Sequence, residues 1–229
     1  QLDPDAAELG REVEIAPGAA GDLRQGLEIL LEALQEDGLP QTEWDGLLDQ
    51  AKKAIATTRT PLPIMAAMRE AMDENAVAVV DVTSIAYRAF DEFPVYQPRT
   101  FLYPCYYVTL GFAVPAAIGA KVACPQRQVV AFCGDGGFQM TACELATAAE
   151  YGIGVVFVVV NDGGLLAIRG SQEQTFSGRT IDTDMQVPHL ADMAQAMGVR
   201  GGRVGGADAF AAAFAEALQH PGPTVVEVM

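Results

Sequence analysis

Apolar residues in this chain fall into short solid runs rather than long alternating stretches. Val77 to Val82, Val129 to Cys133, Val155 to Val160 and Thr224 to Val228 are rich in valine. Such runs read as strands buried on both faces. Between them the spacing predicts helices over Pro63 to Glu74, Gly111 to Val122, Phe138 to Tyr151, Pro188 to Met197 and Ala207 to Gln219. A further strand is expected near Arg203. Phe93 to Tyr107, rich in Pro and aromatics, reads as a loop. Strands alternating with helices of this length argue for an α/β fold: a doubly wound parallel sheet with helices on both faces.

The first part of the chain is patterned differently. Asp22 is suited to cap a helix from Leu23 to about Gln35. Leu23, Leu27, Leu30, Leu31 and Leu34 form a stripe along it, expected to pack into a core. Glu43 to Thr57 reads as a linker helix, stopped by Pro61-Leu62-Pro63. Residues 1–40, 41–62 and 63–229 are thus read as the tail of one domain, a linker, and an α/β domain.

At 229 residues, 50 % of them hydrophobic, the chain is long enough to bury a full core. The longest apolar run, Ile153 to Val160, is too short to span a bilayer. No signal-peptide pattern is visible, and a first residue of Gln1 points to a start further upstream. A net charge of −16 argues against nucleic acid and anionic membranes as partners and suits an acidic cytoplasmic surface. Cys105, Cys124, Cys133 and Cys143 lack Cys-x-x-Cys spacing and lie among apolar residues, which reads as buried reduced thiols. His189 and His220 have no triad pattern and read as structural or surface groups.

The chemistry sits at two loops. Gly134-Asp135-Gly136 follows the strand that ends at Cys133, and Asn161-Asp162-Gly163-Gly164 follows the strand that ends at Val160. In a parallel sheet both leave carboxyl ends of strands, where open α/β sheets bind ligands. Glycines admit backbone N–H groups to a phosphate, and a following helix N-terminus favours its charge. Asp135 and Asp162 offer the hard oxygen ligands that Mg²⁺ takes together with phosphate oxygens and water. The two loops describe a Mg²⁺–diphosphate site.

Gly-Asp-Gly, a spacer from Gly137 to Val160, then Asn-Asp resembles the thiamine diphosphate motif of the acetolactate synthase and 2-oxo acid decarboxylase superfamily. The family's second Asn is Asp162 here. The likeness extends to Gly111-Phe112-Ala113-Val114-Pro115-Ala116-Ala117-Ile118-Gly119-Ala120 and to Glu144-Leu145-Ala146-Thr147-Ala148. It covers roughly residues 60 to 229. It implies that Asp135, Asp162 and the backbone carbonyl of Gly164 ligate Mg²⁺. Gly134, Gly136, Gly137 and Leu165 then surround the diphosphate, and Asn161 fixes the loop. Thr83 and Ser84 match a second diphosphate-contacting loop, or serve simple turn chemistry. The carbonyl of Val108 would accept from the cofactor's 4′-amino group, and Leu110 would prop the cofactor into its bent shape. Asp162 in place of Asn adds negative charge beside the diphosphate.

The resemblance also implies function. Pyruvate decarboxylases carry a Glu at the position of Ile168, so an aliphatic residue there is more like a carboligase. The expected enzyme decarboxylates a small 2-oxo acid and ligates the enamine to a second carbonyl compound. The alternatives are a simple decarboxylase releasing an aldehyde, and a non-catalytic cofactor-binding subunit. Leu110 and Ile168 are the pocket positions. Tyr106 and Tyr107 either contact substrate or pack. Arg169 or Gln172 either meets a substrate carboxylate or, as is the first expectation for Arg169, faces solvent. The Glu that activates the cofactor belongs to a pyrimidine-binding domain, and nothing before residue 60 looks like one. A second chain or an N-terminal portion is expected to supply it, within a homo- or hetero-oligomer. A different Mg²⁺–nucleotide binder lacks support: there is no Gly-x-x-x-x-Gly-Lys-Ser/Thr motif and no Gly-x-Gly-x-x-Gly after the first strand.

Overall fold

A computed structural model describes residues 1–37, 44–58 and 62–229. The chain divides into two compact units, Gln1–Thr60 and Pro61–Met229. In the first, strands β1 (Leu2–Asp3) and β2 (Ala19–Ala20) pair in parallel, and two helices follow, α1 (Leu23–Asp37) and α2 (Trp44–Thr58). Asp22 caps α1 as expected, its carboxylate accepting from the Gln25 N–H at 2.8 Å. The leucine stripe does not pack: Leu23, Leu27, Leu30, Leu31 and Leu34 are all exposed. Helical periodicity shows that a face is apolar and is silent on what covers it. The Pro61 stop lies outside the described residues.

In the second unit the elements are α3 (Pro63–Ala71), β3 (Val77–Val80), α4 (Ser84–Glu92), β4 (Phe101–Leu102), α5 (Ala113–Ala123), β5 (Val129–Gly134), α6 (Asp135–Thr141) and α7 (Glu144–Glu150). Then come β6 (Val156–Val160), α8 (Leu166–Thr175), α9 (Leu190–Ala196), β7 (Arg200–Val204), α10 (Ala207–Gln219) and β8 (Thr224–Val228). All six strands are parallel, in the order β4-β3-β5-β6-β8-β7. The expected doubly wound sheet is present. Side chains alternate strictly between its faces. Val77, Val79, Ala131, Cys133, Phe157 and Val225 join one core, with α5, α7 and α9 above it. Ala78, Val80, Phe132, Val158 and Val226 join the other, with α3, α4 and α10. A strand buried on both faces needs apolar residues at every position, hence the solid valine runs.

Several boundaries differ from the sequence reading. The single helix expected from Phe138 to Tyr151 begins earlier, at Asp135, and breaks at Ala142-Cys143 into α6 and α7. Helix α4, filled by Ile85, Ala86 and Ala89, was not anticipated. Only Cys133 is a buried thiol; Cys105 and Cys143 are exposed and Cys124 is half-buried, all four free. A neighbour apolar in sequence is not a neighbour in space.

Candidate functional site

The strand order reverses beside β3. From β3 the chain moves outward to β4, and from β5 it moves the other way through β6. The loops after β3 and β5 therefore feed helices on opposite faces, and a crevice opens between them. Register aligns the openings, since Gly134 of β5 stands opposite Val160 of β6. Asp135 and Asn161 thus leave the sheet side by side.

Over this point lies a cavity of about 350 Å³. It is lined by Thr83, Ser84, Val108, Leu110, Gly134, Asp135, Gly136, Gly137, Asp162, Gly164, Leu165 and Ile168, so the structure brings together every site position read from the sequence. Tyr87 and Leu166 complete its apolar wall. Among the described residues, no Lys, Arg or His lines it. The N-termini of α4, α6 and α8 all start at its wall, and helix N-termini favour negative charge. A larger apolar cavity of about 580 Å³, lined by Leu62, Ile64, Phe210 and Met229, lies beyond Ser84. Among the described residues no Asp or Glu lines it, and the one cation that does, Arg88, is bridged to Glu92.

Asp135 is buried, and backbone amides meet both its oxygens. Oδ1 accepts from Gly136 at 2.7 Å, and Oδ2 from Gly163 at 2.9 Å and Gly164 at 3.1 Å. The carbonyl of Gly164 carries no hydrogen bond among the described residues. Asp162 is pushed above the ordinary aspartate range, first by burial and then by the charge of Asp135. Two carboxylates held against each other beside a free carbonyl form a donor set that a divalent cation would satisfy. The residues present therefore fit Mg²⁺.

The glycines of the first loop are required by packing. A Cβ on Gly134 would stand 2.7 Å from Thr83 Oγ1, and one on Gly137 3.1 Å from Asp81 Oδ1. The loops after β3 and β5 touch through these bare positions. Thr83 precedes α4 without a capping bond from its side chain, so its hydroxyl is not spent on turn chemistry.

A strap closes the second loop. Leu165 N–H donates to the Thr183 carbonyl at 2.9 Å, and Met185 N–H to the Gly163 carbonyl at 3.0 Å. Arg169 does not face solvent freely: it pairs with Asp184 and donates to Thr183 Oγ1. Tyr106 and Tyr107 stand exposed, so packing within this chain does not account for them.

Two buried carboxylates carry the loops, and sequence reading gave neither a role. Asp81, 0 % exposed, directly follows β3. Its Oδ1 accepts from Val82 at 2.7 Å and Gly111 at 3.1 Å, and its Oδ2 from Ala113 at 3.0 Å. It pins the Leu110-Gly111 turn, where Gly111 has φ of +80°, to the sheet. Glu227, also 0 % exposed, lies on β8. Its Oε1 accepts from Asn161 Nδ2 at 2.6 Å, and its Oε2 from Ala191 N–H at 3.0 Å and Arg203 Nε at 3.1 Å. The available signal was a carboxylate inside a solid apolar strand, which must be paired.

Burial pushes the Glu227 carboxyl up, but hydrogen bonds from Ala191, Asn161, Arg203 and Leu190 outweigh it and hold the group below the ordinary glutamate range. The folded form thus binds its proton less readily than the unfolded chain. Glu227 contributes stability above the ordinary range, and that contribution is lost as pH falls through and below it. The stability gap between wild type and Glu227→Gln is expected to narrow on acidification from pH 7, as thermal melts across pH would show. A constant gap would contradict the pairing.

Known proteins with the same pattern can now be set beside this geometry. Residues 83–228 match the model of the thiamine pyrophosphate enzyme C-terminal domain, which binds that cofactor (thiamine diphosphate). A Bacillus subtilis protein whose name assigns it thiamine pyrophosphate, YdaP, is 32 % identical over 240 residues, covering 100 % of this chain and 41 % of that protein. The acetolactate synthase large subunit of Haemophilus influenzae is 32 % identical over 229 residues, covering 95 % of this chain and 40 % of its own. This chain thus spans about two fifths of their length. Among solved structures, the thiamine diphosphate-dependent 4-hydroxybenzoylformate decarboxylase of Rhodococcus jostii superposes with a TM-score of 0.68 at 33 % identity, over 72 % of this chain and 32 % of that one. Two strand-end loops with their paired aspartates, the crevice they flank and the family match over it lead to one assignment: the chain belongs to the thiamine pyrophosphate enzyme family and carries its C-terminal cofactor-binding domain.

Proposed function

We propose that the cavity holds the diphosphate end of thiamine diphosphate together with Mg²⁺, and that the complete enzyme is an acetolactate synthase-like carboligase. The observation carrying this reading is the convergence of Asp135, Asp162, Gly164 and three helix N-termini on one cavity. Asp135, Asp162 and the Gly164 carbonyl would hold the metal. When bound, thiamine diphosphate supplies the electron sink that lets a 2-oxo acid lose CO₂.

This chain's own residues bind and orient. The N-termini of α4, α6 and α8 would meet the diphosphate charge, since among the described residues no basic side chain lines the cavity. The Val108 carbonyl would be available to hold the cofactor's ring, and Leu110, held through Gly111 by Asp81, would support its bent shape. Ile168 and Leu166 line the cavity and offer no proton. An aliphatic Ile168 supports ligation over protonation, as do the relatives named acetolactate synthase. The likeness to a solved decarboxylase supports aldehyde release as the second reading. In either case the activating carboxylate comes from a pyrimidine-binding domain, on another chain or in an N-terminal portion, so the active assembly is an oligomer. In this division residues 1–40 are the end of a central domain, 41–62 a linker and 63–229 the cofactor domain.

Thermal melting of the chain tests the binding claim. Thiamine diphosphate with Mg²⁺ at about a hundred times Kd should add about 2.7 kcal/mol, or roughly 5–10 °C in Tm. ATP or NAD with Mg²⁺ should add nothing. A shift with ATP alone would defeat the reading. With the pyrimidine-binding portion present, product analysis should find acyloin in excess of aldehyde; aldehyde alone would establish the second reading.

A further inference from the structure

The Asn161–Gly164 loop is anchored from behind by groups outside the cavity. Glu227 lies 66 residues from Asn161 in sequence and meets its amide directly. Asn161 Oδ1 in turn accepts from the Gly163 N–H at 3.3 Å. A carboxylate accepts only, so the Asn161 amide has one workable orientation, its NH₂ toward Glu227 and its oxygen toward the loop. Arg203 lies between Glu227 and His189, whose Nδ1 its guanidinium also contacts. A polar chain therefore runs from His189 and Arg203, through Glu227, to Asn161 and the loop.

That chain has a purpose that packing does not supply. Gly163 and Gly164 follow Asp162, and Gly163 sits at φ of +74°. Paired glycines are the most costly residues to order, yet their amides must both reach Asp135. A buried glutamate in a valine strand is itself costly unless every oxygen is met. An apolar residue would fill the space without that cost, but would leave the Asn161 amide unheld. We infer that Glu227 is a positioning residue: acting through Asn161, it fixes the backbone from Asn161 to Gly164, and with it the directions of Asp162 and of the Gly164 carbonyl. The role is stated for the cation site proposed above.

Two readouts test it on the whole chain. The first is Mn²⁺ affinity at saturating thiamine diphosphate, by electron paramagnetic resonance. The second is amide hydrogen exchange at Gly163 and Gly164 without any ligand. Glu227→Gln should weaken Mn²⁺ binding about tenfold to a hundredfold, as loss of a ligand-orienting partner does, and speed exchange at both glycines more than at Val225 and Val226. Asn161→Ala should do the same, and the double variant should be no worse than the poorer single variant. Additive losses, or unchanged exchange at Gly163 and Gly164 in Glu227→Gln, would overturn the assignment. Should wild type bind no Mn²⁺ with thiamine diphosphate, the proposed function fails, and exchange alone decides the positioning role. Should Glu227→Gln not fold, Asn161→Ala and Arg203→Met carry the exchange test, and unchanged glycines in both would overturn it.

Discussion

Asp135→Asn is expected to abolish cation-dependent binding of thiamine diphosphate. Residues that merely orient a metal ligand are worth about tenfold to a hundredfold in affinity, so a direct ligand should cost at least about a hundredfold. The structure adds a second reason. Asp135 accepts from three backbone amides, of Gly136, Gly163 and Gly164. Asparagine would turn an NH₂ group toward one side of that set, opposing either the Gly136 N–H or those of Gly163 and Gly164 even before a cation arrived. Titration calorimetry with Mg²⁺ and thiamine diphosphate, beside a circular dichroism melt showing that the sheet persists, measures both effects. Undiminished affinity in Asp135→Asn would remove this residue from the site.

Asp81→Ala is expected to destabilise the α/β unit strongly. It leaves the amides of Val82, Gly111 and Ala113 facing a cavity with no acceptor. Each unmet buried donor costs about 1–3 kcal/mol, and partial relaxation brings the sum to about 3–5 kcal/mol. That corresponds to roughly 10 °C in Tm for a domain of this size. Asp81→Asn should lose less, because one oxygen remains for Val82 and Gly111. Burial pushes the Asp81 carboxyl above the ordinary range, and the three amide bonds only partly pull it back. Its neutral form is therefore the better tolerated one, which an amide imitates. Calorimetric melts of the two variants check the order; equal losses would mean that charge, not acceptance, is what the site requires.

The strands were legible because burial on both faces leaves a solid apolar run, and the ligand loops because each is contiguous in sequence and directly follows such a run. The carboxylates that hold the loops were not. Asp81 reaches Gly111 across 30 residues and Glu227 reaches Asn161 across 66, and no local pattern encodes a partner at that distance. Periodicity also misled at α1, where five leucines on one face were read as core and stand exposed. It said nothing of the reversal of strand order beside β3, which places the crevice. The family likeness supplied the residue set. Only the structure supplied the reason for Gly134 and Gly137, which is the close approach of Thr83 and Asp81.

The two outermost strands bear on how copies of this domain can meet. An open parallel sheet ends in unpaired backbone groups that invite another strand, and long flat edges are where chains aggregate. Here β4 offers only Phe101 and Leu102, too little for a stranger to grip. On the other side β7 reads Arg200-Gly201-Gly202-Arg203-Val204, and its arginines are committed to Glu216 and Glu227. Joining a strand there would mean stripping charge and ordering two glycines. The sheet is therefore poorly suited to extension at either end, and the open crevice lies at the carboxyl ends of its strands.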